Sequence, residues 1–289
     1  MDFYLSAILQ GLCLSAMAFG IFISMKIFNI PDISTDGTYT LGGVISGFYI
    51  SQSYNGFAIV GLVILGGALA GAITGIIHTK LKVNALLAGI LVMTALYSIN
   101  LSILGQSNLP LLNFDILFTV INLFQNPTYN TFLIVFTIIL ILLMSLTYVL
   151  KSDFGLAMRA TGNNQIMIRA LGVNTDTMKI IGLAIANSLT ALSGYLMTLL
   201  QGFADINMGI GIVIVGLGSV MMGETLINFF NIKNITIVLL IVILGAIVFQ
   251  LVLAFALSLG INPNLLKLIT AAFVLLIVGL PRFISNKAE

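Results

Sequence analysis

Long apolar runs separated by short polar segments make up most of this chain. The run Ile235–Gly260, ITIVLLIVILGAIVFQLVLAFALSLG, exceeds the roughly 20 residues a helix needs to cross a bilayer. Read the same way, the pattern predicts spans at Leu5–Phe28, Thr38–Ser51, Phe57–Ile77, Asn84–Leu104, Tyr129–Leu150, Met178–Leu200, Gly209–Ile227, Ile235–Leu259 and Leu265–Leu280. Backbone polar groups in hydrocarbon must be satisfied within a helix or a closed sheet. No alternating pattern of about ten residues suggests a barrel. The expected fold is all-α: a polytopic transmembrane helical bundle of about 8–10 spans, in a single domain over residues 1–289.

Two of these spans are unusual. Thr38–Ser51 is short for a crossing, and Gly209–Ile227 is interrupted by Gly209, Gly211, Gly216, Gly218 and Gly223. Each follows a polar turn that begins Asp-Ile: PDISTDGT before the first and ADINMGIG before the second. Short or broken segments in matching positions leave room for an inverted repeat and point to the solute path of a transporter, where unwound backbone faces a cavity. The same residues also suit ordinary helix starts, with Asp and Asn as caps. Further candidates are mild polar stripes: Thr94, Ser98 and Ser102 with Tyr97 and Asn100 on one span, and Asn187, Thr190, Gly194, Thr198 and Gln201 on another. Residues four apart share a helix face, and such stripes serve either interhelical hydrogen bonding or a solute path. Gly67, Gly71 and Gly75 form a ladder of small residues expected to bring two helices close. In the segment between Gly105 and Asn126, Leu112–Phe124 is too short to span and suits a helix lying at the interface or a docking surface.

Composition agrees with a membrane protein, since 60% of residues are hydrophobic and only 7% charged, too few to cover a soluble globule. The start MDFYLSAILQ lacks a basic segment, so the first apolar run is expected to be retained. Alternating the spans gathers Lys26, Lys80, Lys82, Lys151, Arg159, Arg169, Lys179, Lys233, Arg282 and Lys287 on one side, which the positive-inside rule makes the cytoplasm. The C-terminus is then inside and the N-terminus outside. Only Lys267 falls on the opposite side. No GxxxxGK[ST] loop is present to cradle a nucleotide, and no HExxH occurs. His78 beside Lys80 and Lys82 reads as an interfacial residue, and Cys13 as a small buried hydrophobe. With so few ionisable groups in the spans, neither an intramembrane enzyme nor a proton-coupled carrier is favoured. No metal site and no nucleic-acid partner are expected.

The polar stretch from Lys151 to Lys179 interrupts this pattern. Its sequence predicts a helix from Phe154 to Thr161 that stops at Gly162, then a second short helix, IMIRAL, capped by Asn163 or Asn164 and ending at Gly172. Val173 is placed to fold back as in a Schellman motif, and Asn174, Thr175 and Asp176 restart the chain. Leu156, Met158, Ile166, Met167, Ile168 and Leu171, flanked by Arg159 and Arg169, give the pattern of a short helix laid into a partner's groove.

The residues Ala160–Asn163 (ATGN) and Ala170–Val173 (ALGV) resemble the cytoplasmic coupling region of bacterial ABC importer permeases of the branched-chain amino acid and ribose type. Pro31–Gly43, His78–Gly105 and Gln201–Glu224 extend the likeness, closest to tryptophan/tyrosine-type permeases that work with a lipoprotein receptor. The resemblance runs from about Gly11 to Arg282. It implies a permease in the bacterial cytoplasmic membrane, paired with a second copy as a homodimer, with cytoplasmic ABC ATPase subunits that carry ATP and Mg, and with an extracytoplasmic solute-binding lipoprotein. The chain itself would hold no cofactor and would not be an enzyme. Segment 152–176 would couple to the ATPase through Arg159, Thr161, Gly162, Asn163, Asn164, Ile168, Arg169, Leu171 and Gly172. Asp32, Ser34, Asp36, Thr38, Asp205 and Asn207 would lie along or beside the path, joined by Thr94, Tyr97, Ser98, Asn187 and Gln201 from the stripes. A first turn broken at mid-membrane would change the simple crossing count near the N-terminus. The implied solute is a small molecule, an amino acid, aromatic by preference. The rival class is an autonomous secondary transporter or channel.

Overall fold

The computed structural model describes residues 2–112, 114, 117–120, 126–262 and 265–285. Helix α1 (Asp2–Ile21) continues as a π-helical segment over Phe22–Ile27, and α2 (Ser34–Ser51), α3 (Gly56–Thr79) and α4 (Ala85–Leu104) follow. Strand β1 (Asn108–Pro110) and the short α5 (Leu117–Val120) lead to α6 (Pro127–Lys151), α7 (Asp153–Asn163), α8 (Gln165–Ala170) and α9 (Thr175–Gln201). Strand β2 (Phe203–Asp205) precedes α10 (Ile212–Phe229), α11 (Ile235–Ser258) and α12 (Leu266–Ser285). Among the described residues 7 helices are long and apolar enough to cross a membrane. The chain is thus a multi-pass helical bundle. Lys287 and most of the interfacial helix expected at Leu112–Phe124 lie outside the described residues.

The helix starts follow directly from asparagines. Asn55, Asn84, Asn126, Asn174 and Asn234 each cap the helix that follows, their Oδ1 accepting from the N–H two residues on in α3, α4, α6, α9 and α11. That contact replaces the partner the first helical N–H groups lack.

Helix α9 is the axis of the bundle, surrounded by α1, α2 and α3. Helix α1 runs antiparallel to it: the Ser193 hydroxyl donates to the Cys13 carbonyl at 2.8 Å, Gly20 lies on Ala186, and the Phe28 ring lies on Gly182. The glycine ladder of α3 is a packing device, with Gly67 against Asn187 and Ser188, Gly71 against Leu183 and Gly75 against Ile180. Helix α2 instead runs parallel to α9, from Ser34 beside Asn187 past Gly42 on Ala191 to Gly47 on Ala204. Because Asn187 sits near the middle of the 27-residue α9, α2 begins at mid-depth in the bundle. Helix α10 begins at the same depth, where Gly209 abuts Asp36, and runs the other way, past Met17 and Ile21 to Glu224, which pairs with Lys26. The two broken segments therefore meet head to head, as in an inverted repeat.

Three details differ from the sequence reading. Helix α2 starts at Ser34 rather than Thr38, because Asp32 supplies a cap that lets the polar residues Ser34–Gly37 take helical form. Helix α10 starts at Ile212 rather than Gly209, because Gly211 takes a left-handed φ of 81° that no helix continues through. A small antiparallel ribbon, with Asn108 opposite Asp205 and Pro110 opposite Phe203, caps the end of the bundle away from α7 and α8. Strands of three residues are too short to show an alternating pattern.

Candidate functional site: a polar mid-depth junction and a projecting helix pair

The two Asp-Ile turns are built alike, the first at mid-depth and the second at the ribbon end. Asp32 Oδ1 accepts from the Ser34 N–H at 2.9 Å, and Asp205 Oδ1 accepts from the Asn207 N–H at 2.6 Å. In each, the second carboxylate oxygen accepts from an asparagine amide: Asn187 to Asp32 at 2.8 Å and Asn108 to Asp205 at 3.1 Å. An aspartate closing its own turn two residues on is a local alternative to helix, which explains why both segments break there. Asp32 is 3% exposed, and the Ser34 hydroxyl also donates to it at 2.6 Å. Across the junction, Asp36 accepts from the N–H groups of Gly211 at 2.9 Å and Val213 at 2.8 Å, so a carboxylate of α2 caps α10. A negative charge at a helix N-terminus is favourable, and in a dry interior it needs such partners.

The sequence-predicted path residues fall into separate places. Asp32, Ser34, Asp36, Thr38 and Asn187 converge at this junction and are all buried. Gln201, Asp205 and Asn207 lie at the ribbon end. Thr94, Tyr97 and Ser98 are exposed on the outward face of α4, while Val92, Leu96 and Asn100 turn inward and the Asn100 amide donates to the Gly37 carbonyl at 3.2 Å. The α9 stripe resolves as interhelical contact: Asn187 holds Asp32, Gly194 lies on Tyr39, and the Thr198 hydroxyl faces the Met208 sulfur.

The polar stretch folds into the expected pair of helices, with one correction. Helix α7 runs through Gly162 to Asn163, and Asn164 is the break and the cap of α8, accepting from the Met167 N–H at 3.0 Å. Gly162 is needed for approach, not for a left-handed turn: a Cβ there would collide with the Ile27 carbonyl, and Asn29 donates to the Gly162 carbonyl at 3.3 Å. The Schellman end of α8 is present, with Gly172 at φ 86°, its N–H donating to Arg169 and the Val173 N–H to Ile168. Leu156, Ile166, Met167 and Leu171 are exposed. Met158 and Ile168, expected to be exposed, are buried, because Met158 shares the inner face of α7 with Gly155 and Thr161 and Ile168 sits beneath the α8 turn. Arg169 is exposed as expected, and its guanidinium donates to Thr175 at 2.6 Å and to Asp176 at 2.7 Å, tying α8 to the start of α9. Arg159 is half-buried, and among the described residues its Nε has no hydrogen-bond partner.

Sequence reasoning missed Asn29, Asn108 and the Lys26–Glu224 pair. The Asp-Ile turns were the available signal for Asn108, whereas Asn29 and the ion pair join segments far apart in the chain and left none. Among the described residues no cluster of His, Cys, Asp or Glu is arranged to hold a metal ion.

A bundle of long apolar helices, with two oppositely directed helices meeting at a polar mid-depth junction and an amphipathic helix pair at one end, has the build of a membrane transporter. The chain belongs to the family described as "Branched-chain amino acid transport system / permease component", whose profile matches residues 3–279. It is 41% identical over 272 residues to the "Tyrosine transport system permease protein" of Clostridioides difficile (strain R20291), covering 94% of this chain and 88% of that protein. It is 25% identical over 205 residues to the "Ribose import permease protein RbsC" of Haemophilus influenzae, covering 67% of this chain and 60% of that protein. The "Autoinducer 2 import system permease protein LsrC" of Photorhabdus luminescens is 26% identical over 208 residues, covering 72% of this chain and 61% of that protein. No solved structure gives a significant match.

Proposed function

We propose that this chain is the permease subunit of an ATP-driven importer for an amino acid, aromatic by preference. ATP and Mg are held by separate cytoplasmic ATPase subunits, and the solute arrives on an extracytoplasmic binding lipoprotein. The bundle lies in a bacterial cytoplasmic membrane with α7, α8 and the C-terminus on the cytoplasmic side, in keeping with Lys80, Lys82, Lys151 and Lys233 at that end. The solute class rests on the similarity to a permease described as a tyrosine transporter.

The observation that carries the coupling assignment is the seat of Gly162 on Ile27. The exposed apolar residues Ile166, Met167 and Leu171 on and just after α8 suit a groove on the ATPase. The base of α7 rests on Ile27–Asn29, and the chain passes from there directly into the Asp32 turn and α2. A partner that pulls on α7 and α8 thereby moves the start of α2. Asp36 links that start to α10, so both broken helices shift together between inward-open and outward-open states. In this reading the buried residues Asp32, Ser34, Asp36, Thr38 and Asn187 form the moving joint beside the path.

Residues Thr94, Tyr97 and Ser98 form a polar, aromatic stripe on a face of α4 left exposed among the described residues. A second permease copy packed there would line the path with this stripe, which supports the homodimer. Reconstitution with the ATPase and the binding protein tests the whole assignment. The expected result is ATP-dependent tyrosine uptake that Ile166→Glu and Leu171→Glu abolish while leaving the bundle folded; uptake driven by the permease alone along an ion gradient would overturn it.

A further inference from the structure

At the ribbon end a partly open cavity of about 430 Å³ separates the start of α1 from α10, α11 and α12. That volume lies within the roughly 300–1,000 Å³ of small-molecule sites. Its wall is mostly apolar, with Phe3, Ile212 and Leu257 among the lining residues. Set into this wall are the amides of Gln10, Asn207 and Gln250 and the lysine Lys267. Gln250 is the only amide in the otherwise apolar α11. Lys267 is the one lysine or arginine that the alternation of spans puts at this end. Among the described residues its ammonium forms no ion pair. The carboxylate of Asp36 lies just behind this wall, bonded to its Gly211, and both its oxygens are held by the N–H groups of Gly211 and Val213. The cavity thus offers one uncommitted cation, several neutral acceptor oxygens and an apolar wall, with the nearby carboxylate balancing the charge.

We infer that this cavity binds a zwitterionic amino acid with an apolar or aromatic side chain, its carboxylate on Lys267 Nζ, its ammonium on the amide oxygens of Gln10, Asn207 and Gln250, and its side chain against Phe3, Ile212 and Leu257. The inference rests on the importer reading and adds to it a site on this subunit where the solute is held at the outer end, above the junction of α2 and α10. A neutral zwitterion suits a wall with a single cation better than a fully anionic ligand, which would leave a net charge in a largely apolar site.

The test uses the full chain in nanodiscs of phosphatidylcholine alone, with radiolabelled tyrosine, tryptophan, phenylalanine and leucine as probes. Saturable binding of at least one is expected, weakened about 10- to 100-fold by Lys267→Gln and less by Gln250→Leu, since a charge-assisted hydrogen bond outweighs a neutral one. Tyramine, which lacks the carboxylate, should compete poorly against tyrosine. Absence of saturable binding by all probes, equal binding by Lys267→Gln, or equal competition by tyramine would overturn the proposal. So would an effect of Lys267→Gln confined to loss of phosphatidylglycerol that co-purifies with the chain before it enters the nanodiscs, which would make the occupant a lipid headgroup. Uptake by the reconstituted complex separates the two readings: coupled transport with no binding at Lys267 removes only this site, whereas absence of ATP-dependent uptake removes the importer itself.

Discussion

Asp36 and Gly211 stand 175 residues apart, yet the carboxylate of the first accepts from the N–H of the second at 2.9 Å and joins the starts of α2 and α10. Asp36→Ala removes this cap and leaves the N–H groups of Gly211 and Val213 without partners. The expected loss is about 1–3 kcal/mol, read as a lowered thermal unfolding midpoint in detergent. Asp36→Asn keeps one acceptor and should lose less.

Asn187 is the donor that satisfies the second oxygen of the buried Asp32. Asn187→Leu leaves that oxygen unpaired and should cost about 1–3 kcal/mol. Adding Asp32→Asn to it should recover part of the loss, because an unpaired amide is cheaper to bury than an unpaired carboxylate. A double-mutant cycle on unfolding midpoints measures the coupling; additive losses would mean the two side chains do not interact.

Gly162→Val puts a side chain into the carbonyl of Ile27 and lifts α7 off the π-helical end of α1. The spans pack elsewhere, so the bundle should remain folded. In the reconstituted importer, solute-stimulated ATP hydrolysis should fall at least about tenfold, with basal hydrolysis changed far less. Equal losses of both would place the defect outside coupling.

Lys26 and Glu224 form an ion pair between the π-helical segment and α10, with side-chain exposures of 49% and 27%. A pair this exposed contributes below about 1 kcal/mol, so neither Lys26→Glu nor Glu224→Lys should unfold the protein. Each single reversal should alter uptake by opposing like charges across a moving boundary, and the double reversal should restore it. Failure of the double reversal to restore uptake would show that the pair does not set the balance of states.

Much of this architecture was legible in the chain. The apolar runs gave the spans because hydrocarbon admits few other sequences, and the asparagine and glycine punctuation from Asn164 to Asn174 gave α8 and its Schellman end because caps act over a few neighbouring residues. The two Asp-Ile turns were visible as similar strings, but their shared hydrogen-bond pattern was not, because Asn187 and Asn108 reach them from distant parts of the chain. The same cause hid the inward turn of Met158 and Ile168 and the tie of Arg169 to Asp176. Composition marks a residue as able to face a partner, whereas Ile27 and Asp176, supplied by the fold, decide which way it faces.

Helix α2 carries Ser34, Thr35, Asp36, Gly37 and Thr38 in its first turns and is nearly all buried against protein. Its hydropathy is too low for it to count among the helices able to cross a membrane unaided. An aspartate at the centre of a lipid-facing helix costs roughly 2.5–3.5 kcal/mol. During synthesis, the partners that remove this cost are made late: Gly211 follows Asp36 by 175 residues, or roughly 9–35 s at ribosomal rates of about 5–20 residues per second. Final insertion of α2 is therefore expected to wait on α9 and α10. Truncated chains that end before α9 should therefore leave α2 open to proteolysis or surveillance at the membrane, while the same helix in the finished protein is sealed from both.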